Sequence, residues 1–494
     1  MKIGNIFILL LSLLMITSCN KSFLDVNKDP NSVTDVPPRT LLPNTTVSMA
    51  FANSNELGKA AALLMQYNAN TLSTSVAGAY DTWIVSGFDS QWDNEIYDGA
   101  LNNLGILIQK TQAQSPAYAG VAKLEFAYTV SMATDLFGDV PYSQAAQGFD
   151  ASGVLKYSQP VFDAQMDIYL GNTTKGIKSL LNLVREGLAD LAAPSTLKPS
   201  TDDLVYGGDL SKWKRFGNSL LLKFALQVSN KAADTTKNVI NDIITGNKPF
   251  IDDISGSLDC KVPFTANNPN AYYLQDIGGS IPNTQMLSNR FLALERSLND
   301  STRLSKLYTK PAATFVGNDN GSPFTPPLIT TRSTYGVYVL GPALSGEAPV
   351  RLITAFRNYF ILAEAALRFG VTGDANAWYQ NGIKASMKSV GMTDADITAY
   401  FTANPAVVTL AGTADNKLKQ IMTQKYIASV GNAIESYNDY RRTGYPVLTP
   451  PLNTAGDDPT TLPTRYTYTT GEGASNANQP NPKPKTNVKV WWAL

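Results

Sequence analysis

The chain has 494 residues, with 40 basic and 40 acidic side chains and no histidine. That balance offers no long-range field for nucleic acid or anionic lipid. The absence of histidine excludes Ser-His-Asp and Cys-His nucleophile systems and His-ligated zinc. No G-x-S-x-G elbow or G-x-x-x-x-G-K-[ST] phosphate loop is present either. A carboxylate pair of the glycosidase kind is the remaining catalytic option, and 40 acidic residues contain such pairs by chance. Only 16% of residues are charged, while Asn, Thr, Gly, Pro and Tyr are plentiful. A surface of neutral hydrogen-bonding groups and aromatics suits uncharged ligands. The expectation is a binding protein, not an enzyme, with no cofactor and no metal.

At the N-terminus, Lys2 precedes the apolar run Ile6–Ile16, interrupted only by Ser12. The run is too short for a bilayer span, which needs about 20 apolar residues, and has the form of a secretory h-region. It leads into Ile16-Thr17-Ser18-Cys19, small residues before a cysteine, as lipoprotein signal peptidase requires. Residues 1–18 therefore read as a lipoprotein signal peptide and Cys19 as the lipid anchor. Acyl chains hold a protein to a membrane by CH₂ burial, about 0.8 kcal/mol per group, with no spanning helix. With Cys19 acylated, Cys260 stands alone, so no structural disulfide is expected; it reads as a small buried side chain. Residues 19–43 are rich in Asn, Asp and Pro and read as an extended tether. Asp25-x-Asn27-x-Asp29 resembles the start of a calcium loop, but Pro30 stands where that loop needs Gly and Val36 where it needs Glu.

The body, 44–494, reads as mainly helical. Apolar spacing predicts helices at 55–69, 92–110, 160–187, 210–231, 234–245 and 415–440. Ser115-Pro116 forms an N-cap and first-turn pair ahead of Ala119, Ala122, Phe126, Val130 and Ala133, with a stop near Phe137-Gly138. A further helix follows Thr354, carries Phe360, Leu362, Ala363, Ala366 and Leu367, and ends at Gly370. Asp374 opens its partner, with Ala377, Trp378, Ile383 and Met387. Small residues at Ala363, Ala365 and Ala366 permit close approach, and the unit is on the tetratricopeptide scale. Two regions, 246–350 and 446–494, do not read as helix; they keep aromatics throughout, so they read as ordered, loop-rich binding or packing elements.

Specific residues resemble the SusD/RagB family of nutrient-binding outer-membrane lipoproteins. In order, they are Phe23–Pro30, Trp92…Tyr97…Leu101-Asn102-Asn103, Asp135–Tyr142 (DLFGDVPY), Asp203–Asp209 with Trp213–Leu220, Ala363–Ala366, Gln424–Tyr426, Glu435–Pro446 and Lys489–Trp492. The chain departs from the family at Tyr468–Glu472, where Thr469 replaces the usual proline, and in having one acidic residue, Asp25, just after Cys19. The resemblance implies an α-helical, tetratricopeptide-like scaffold of paired helices under a loop-rich ligand region. It implies a cell-surface protein that captures oligosaccharide and passes it to a SusC-like TonB-dependent outer-membrane barrel. A peptide-binding or mainly structural lid for such a barrel is the alternative.

Most signature residues read as structural. Phe137–Pro141 fits a helix stop and turn. Arg441 and Arg442 with Glu435 and Asp439 read as an ion-pair cluster at a helix end. Trp213 and Trp378 read as core, and Trp92 and Tyr97 as the start of a packed helix. Ligand candidates are loop aromatics flanked by polar groups. Tyr80, Asp81 and Trp83 lead, because Gly78 and its small neighbours cannot cover a large ring, and Asn70 or Asp81 can accept sugar hydroxyls. Arg332, Tyr335 and Tyr338 form the second place in the chain from which related proteins meet ligand. Tyr272 and Tyr273 complete the set.

Overall fold

Paired helices build the scaffold. Pro38–Ser54 packs on Gln91–Asn102, Pro116–Phe137 on Leu180–Asp190, Leu210–Gln227 on Ala233–Thr245, and Ala355–Phe369 on Ala375–Ser389. This computed structural model describes residues 36–148 and 156–494. Cys19, the signal segment and Asp25-x-Asn27-x-Asp29 lie outside those residues. Among the described residues the strands are short and form two-stranded antiparallel pairs. No described helix is long and apolar enough to cross a membrane.

The 355–389 hairpin of helices forms as its sequence predicts. Gly370 ends the first helix in the left-handed conformation, and the Asp374 carboxylate caps the second by accepting from Ala377 N at 2.6 Å. Ser115 precedes Pro116–Phe137 as expected, but its hydroxyl makes no cap bond and instead accepts from Leu197 N. Two long predicted helices are each two. Gly171 (φ 84°) and Gly431 (φ 84°) turn the chain between Gln165–Leu170 and Leu180–Asp190, and between Ala414–Ala428 and Ala433–Thr443. The helix predicted over 55–69 stops at Leu64; Gln66 at φ 57° redirects the chain into the strand Asn68–Asn70. The 92–110 segment is π-helical over Gln91–Asn102 before becoming α-helical.

The segment read as tether turns helical at Pro38. Its buried residues recur with helical spacing, but Thr45 and Thr46 are among them. Both hydroxyls face Glu125, at 3.0 and 2.6 Å, and both also reach Leu42 O at 2.9 Å. Each hydroxyl has one proton, so a threonine that serves Leu42 O can only accept from Glu125, and the protonated carboxyl can donate to one of the two. Burial pushes the Glu125 carboxyl up to about 8, against the opposing hydrogen bonds from Thr46 and Thr45. A raised folded-state value means the native state holds a proton that the unfolded chain releases. Stability is therefore greatest below the ordinary value of 4.5 and falls as pH rises toward about 8. Glu125→Gln keeps both donor and acceptor: its melting temperature should match wild type near pH 4.5, exceed it near pH 8, and vary less between them.

A buried ionic network joins the helices around Ala433–Thr443. Arg357 pairs with Glu435 (2.9 Å) and Asp439 (3.3 Å), Lys425 with Asp439 (2.8 Å), and Lys223 with Glu435 (2.8 Å). Arg442 reaches both Asp439 and Glu364, and Arg368 also bonds Glu364. Asn438 donates to Asp135, and Arg441 donates to the Asp135 carbonyl. Burial opposes ionisation of Asp439, yet Lys425, Arg357 and Arg442 outweigh it and hold the carboxyl well below the usual range. The cluster expected at a helix end is thus an interior lattice. Asp439→Asn leaves these cations short of counter-charge and should cost about 3–5 kcal/mol, measured by chemical denaturation.

Trp213 and Trp92 are core as expected, while Trp378 is half-buried and stacks on Tyr359. Cys260 is fully buried, and burial pushes its thiol up, away from reactivity.

Candidate functional site

Asp81 ties the 70–81 turn to the loop at Asn320–Gly321 and does not reach Arg332, Tyr335 or Tyr338, the second place in the chain expected to form a site. It ends the short helix Val76–Asp81 and is 2% exposed. Its carboxylate accepts Asn70 N (3.1 Å), Asn70 Nδ2 (2.6 Å), Asn320 Nδ2 (2.6 Å) and Gly321 N (2.7 Å). Burial pushes its pKa up while these donors pull it down. Asn320 also donates to Asn68 O, and Asn318 to Asn70 O. The strand Asn68–Asn70 pairs with Gln285–Leu287, and Thr71 N extends the ladder to Thr284 O. Arg332 reaches the carbonyl of Asn283, which also accepts from Thr71 Oγ1. Gly321 (φ 66°) lies against Asn453, where a Cβ would sit 2.7 Å from a backbone oxygen.

The aromatic candidates face inward. Trp83 is 3% exposed and Tyr80 2%, so the expectation that one of these rings stands open fails. Their cover comes from Phe88 nearby and from distant chain behind it. Tyr80 stacks on Phe88, which stacks on Tyr466, and Gly456 packs on the Trp83 carbonyl. Tyr272 and Tyr335 are buried edge to face, Tyr335 also stacks on Tyr308, and Tyr338 is buried beneath the Arg351 guanidinium. Tyr273, on the helix Ala271–Asp276, and Arg332 are half-buried.

What the junction presents outward is different. Asn70, Thr71, Ser73, Asn318, Ser322 and Phe324 are among the residues lining a cavity of about 240 Å³. Phe324 is 74% exposed, and Leu328 and Leu72 also stand out. The sequence contained a signal for Phe324: Ser322-Pro323-Phe324-Thr325-Pro326-Pro327 holds the backbone extended and denies the ring a helix or strand in which to hide. Asn318 and Asn320, spaced by one residue, carried no comparable signal. Two other hollows lie beside the 143–148 turn and share Ala145, Ala146 and Gln147; neither receives chain from the Asp81 junction.

Residues 30–469 match the family described as SusD-like, starch-binding associating with outer membrane. The chain belongs to the SusD-like family. Solved structures similar to this SusD-like protein include a chitin-binding protein (24% identity, TM-score 0.76, 93% of this chain and 100% of that one). A chitin-binding SusD homolog from Flavobacterium johnsoniae (19%, TM-score 0.75, 92% and 98%) and a SusD homolog from Bacteroides thetaiotaomicron (19%, TM-score 0.73, 93% and 99%) share the fold. No curated protein sequence matches. The resemblance read from the motifs is thus correct, as is the mainly helical, tetratricopeptide-like fold.

In this SusD-like protein the Asp135–Tyr142 signature is interior. Asp135 joins the ionic network, Phe137 ends its helix, and Gly138 sits against the Arg465 guanidinium. The departure at Thr469 is accommodated by a short helix, Thr470–Ser475, whose Thr470 and Gly471 N–H groups bond Asp89. Asp81→Ala should cost about 1–3 kcal/mol for each buried donor left unpaired. The melting temperature should drop, and limited proteolysis should cut first between 318 and 326.

Proposed function

We propose that this SusD-like protein captures glycan at the face built on the Asp81 junction, without chemical change to the ligand. The observation that carries the reading is Phe324, held in the open over a cavity walled by amides and hydroxyls. A sugar ring offers C–H bonds on one face and hydroxyls at its rim. A phenyl ring covers the first, and Asn and Ser side chains meet the second. Arg332 bonds Pro327 O, next to the cavity-lining Pro326, while Tyr273 does not line this cavity. Tyr80, Asp81 and Trp83 fix the 70–83 turn from within, while Tyr272, Tyr335 and Tyr338, packed with Tyr308 and Arg351, do not line this cavity.

The family description, starch-binding and outer-membrane associated, supports carbohydrate as the ligand class. The chitin-binding names of two structural neighbours extend the class to β-linked amino sugars. Lipidation at Cys19, display on the cell exterior and delivery to a SusC-like TonB-dependent barrel complete the reading, on the strength of the Ile16–Cys19 motif and the family. Titration calorimetry against starch and chitin oligomers should give binding to at least one. Phe324→Ala should weaken it by about tenfold, roughly 1.4 kcal/mol, with an unchanged melting curve. Absence of binding across the panel, or full affinity without Phe324, would overturn the reading.

A further inference from the structure

We infer that Asp81 guards the Asn320-Gly321 bond against self-cyclisation, and that the junction, once left open, is lost for good to an aspartyl or isoaspartyl residue at position 320. Asn-Gly is the dipeptide most prone to this chemistry, because no Cβ shields the glycine nitrogen. The Gly321 nitrogen bonds to the Asn320 side-chain carbonyl carbon, the bond from that carbon to Nδ2 breaks, and ammonia leaves with the proton given up by Gly321. Water then opens the cyclic imide at one of its two carbonyls. Opening at the side-chain carbonyl leaves aspartate. Opening at the main-chain carbonyl leaves isoaspartate, with the chain rerouted through the side chain. Water is the one co-reactant, and no glycan takes part.

The fold holds the reacting groups off this path. Asn320 is 1% exposed. Its Nδ2 commits both protons, to Asn68 O (2.8 Å) and Asp81 Oδ1 (2.6 Å), and its Oδ1 accepts from Ser288 Oγ (2.6 Å). The carboxamide is fixed at three points and cannot swing its carbon onto the next nitrogen. The Gly321 N–H is turned to the other Asp81 oxygen, at 2.7 Å. Asp81 thus restrains the attacking nitrogen and the leaving amide together. Burial keeps out the water that would open the ring.

The junction needs both residues. The side chain at 320 donates twice and accepts once, an inventory that a carboxylate or a hydroxyl lacks. Gly321 has φ 66°, and a Cβ there would sit 2.7 Å from Asn453 O and 2.8 Å from Pro451 Cβ. The same contacts make conversion irreversible in its effect. A carboxylate at 320 faces the Asp81 carboxylate across what was a 2.6 Å hydrogen bond, and meets Asn68 O with no proton to give. Isoaspartate also lengthens the backbone where Gly321 is already tightly packed. Phe324, three residues on, then loses its anchor. The chain's other Asn-Gly, Asn381-Gly382, lies inside the helix Ala375–Ser389, whose hydrogen-bond ladder engages the Gly382 N–H. It is an internal control that Asp81 does not touch.

The test is peptide mapping by mass spectrometry of the full mature protein, held in mildly alkaline buffer at physiological temperature. Wild type should keep Asn320 intact while folded and convert it once unfolded in urea. Folded Asp81→Ala should convert Asn320 at least about tenfold faster than folded wild type, through easier local opening, with Asn381 unaffected by the substitution. Ser288→Ala frees the carboxamide oxygen with Asp81 in place; it should also convert faster, and it decides the matter if Asp81→Ala does not fold. Asn320→Asp should lower the melting temperature and open 318–326 to limited proteolysis. Conversion of folded wild type at the unfolded rate overturns the inference, because the fold then gives no protection. Folded variants that convert as slowly as wild type, or more slowly, overturn it too; a slower Asp81→Ala would make Asp81 the base that drives cyclisation. Wild-type melting and proteolysis of Asn320→Asp would overturn the loss of the junction.

Discussion

The interior charges around Ala433–Thr443 constrain everything built above them. Arg357, Lys425, Arg442 and Lys223 arrive from separate helices to meet Glu435, Asp439, Glu364 and Asp135, all buried. Such a lattice adds little net stability over a well-packed apolar core, because each ion loses its hydration. Its consequence is positional. An apolar interface tolerates sliding, whereas moving one helix by a turn here leaves a cation or carboxylate unpaired in a low dielectric, at several kcal/mol per ion. The helices that carry the loops are therefore held in one register.

That fixed frame passes to the loops through Asp81. A single carboxylate accepting four N–H groups is a junction between segments 240 residues apart in sequence, the 70–81 turn and the 318–321 loop. The C-terminal region locks the same junction from outside, with Leu452 N on Asn320 O and Ala455 N on Thr82 O. Precision in the face thus comes from buried polar contacts below it, and the residues exposed on it are free to be small, hydroxylic or apolar. This is the usual division between a rigid scaffold and the loops that carry function.

The contrast between what the sequence disclosed and what it hid has a physical basis. Helices with apolar spacing and clean ends, such as Ala355–Phe369 with Gly370 and Asp374 beyond it, are written in local residues. Pro38–Ser54 was hidden because part of its inward stripe is threonine, made burial-competent by a glutamate 79 and 80 positions away. Family resemblance pointed to the 75–83 segment and to Arg332, Tyr335 and Tyr338, whereas the chain that meets the 70–81 turn is Asn318–Gly321, about a dozen residues earlier. The burial of Trp83 and Tyr80 did not follow from the small residues around Gly78, because Tyr466, stacked behind Phe88, and Gly456 complete the cover. Local smallness at Gly78 says nothing about chain that returns from 370 residues on.

The inward tyrosines explain how so much irregular chain remains ordered. Loops leave backbone carbonyls without ladder partners, and a buried carbonyl needs a donor. Tyrosine delivers one at the end of a rigid apolar arm. Tyr67 donates to Tyr426 O while Tyr426 donates to Met65 O. Tyr272 reaches Gly431 O, Tyr437 reaches Pro463 O, Tyr466 reaches Leu57 O and Tyr468 reaches Asp139 O. Each ring packs in the core while its hydroxyl pins a turn or a helix end, a task phenylalanine cannot do and lysine could do only by burying a charge. A chain with 23 tyrosines and only 16% charged residues is one whose loops are fastened from within. Among the described residues Phe324 and Tyr157 are the exposed rings, and Phe324, lacking a hydroxyl, has no carbonyl to serve.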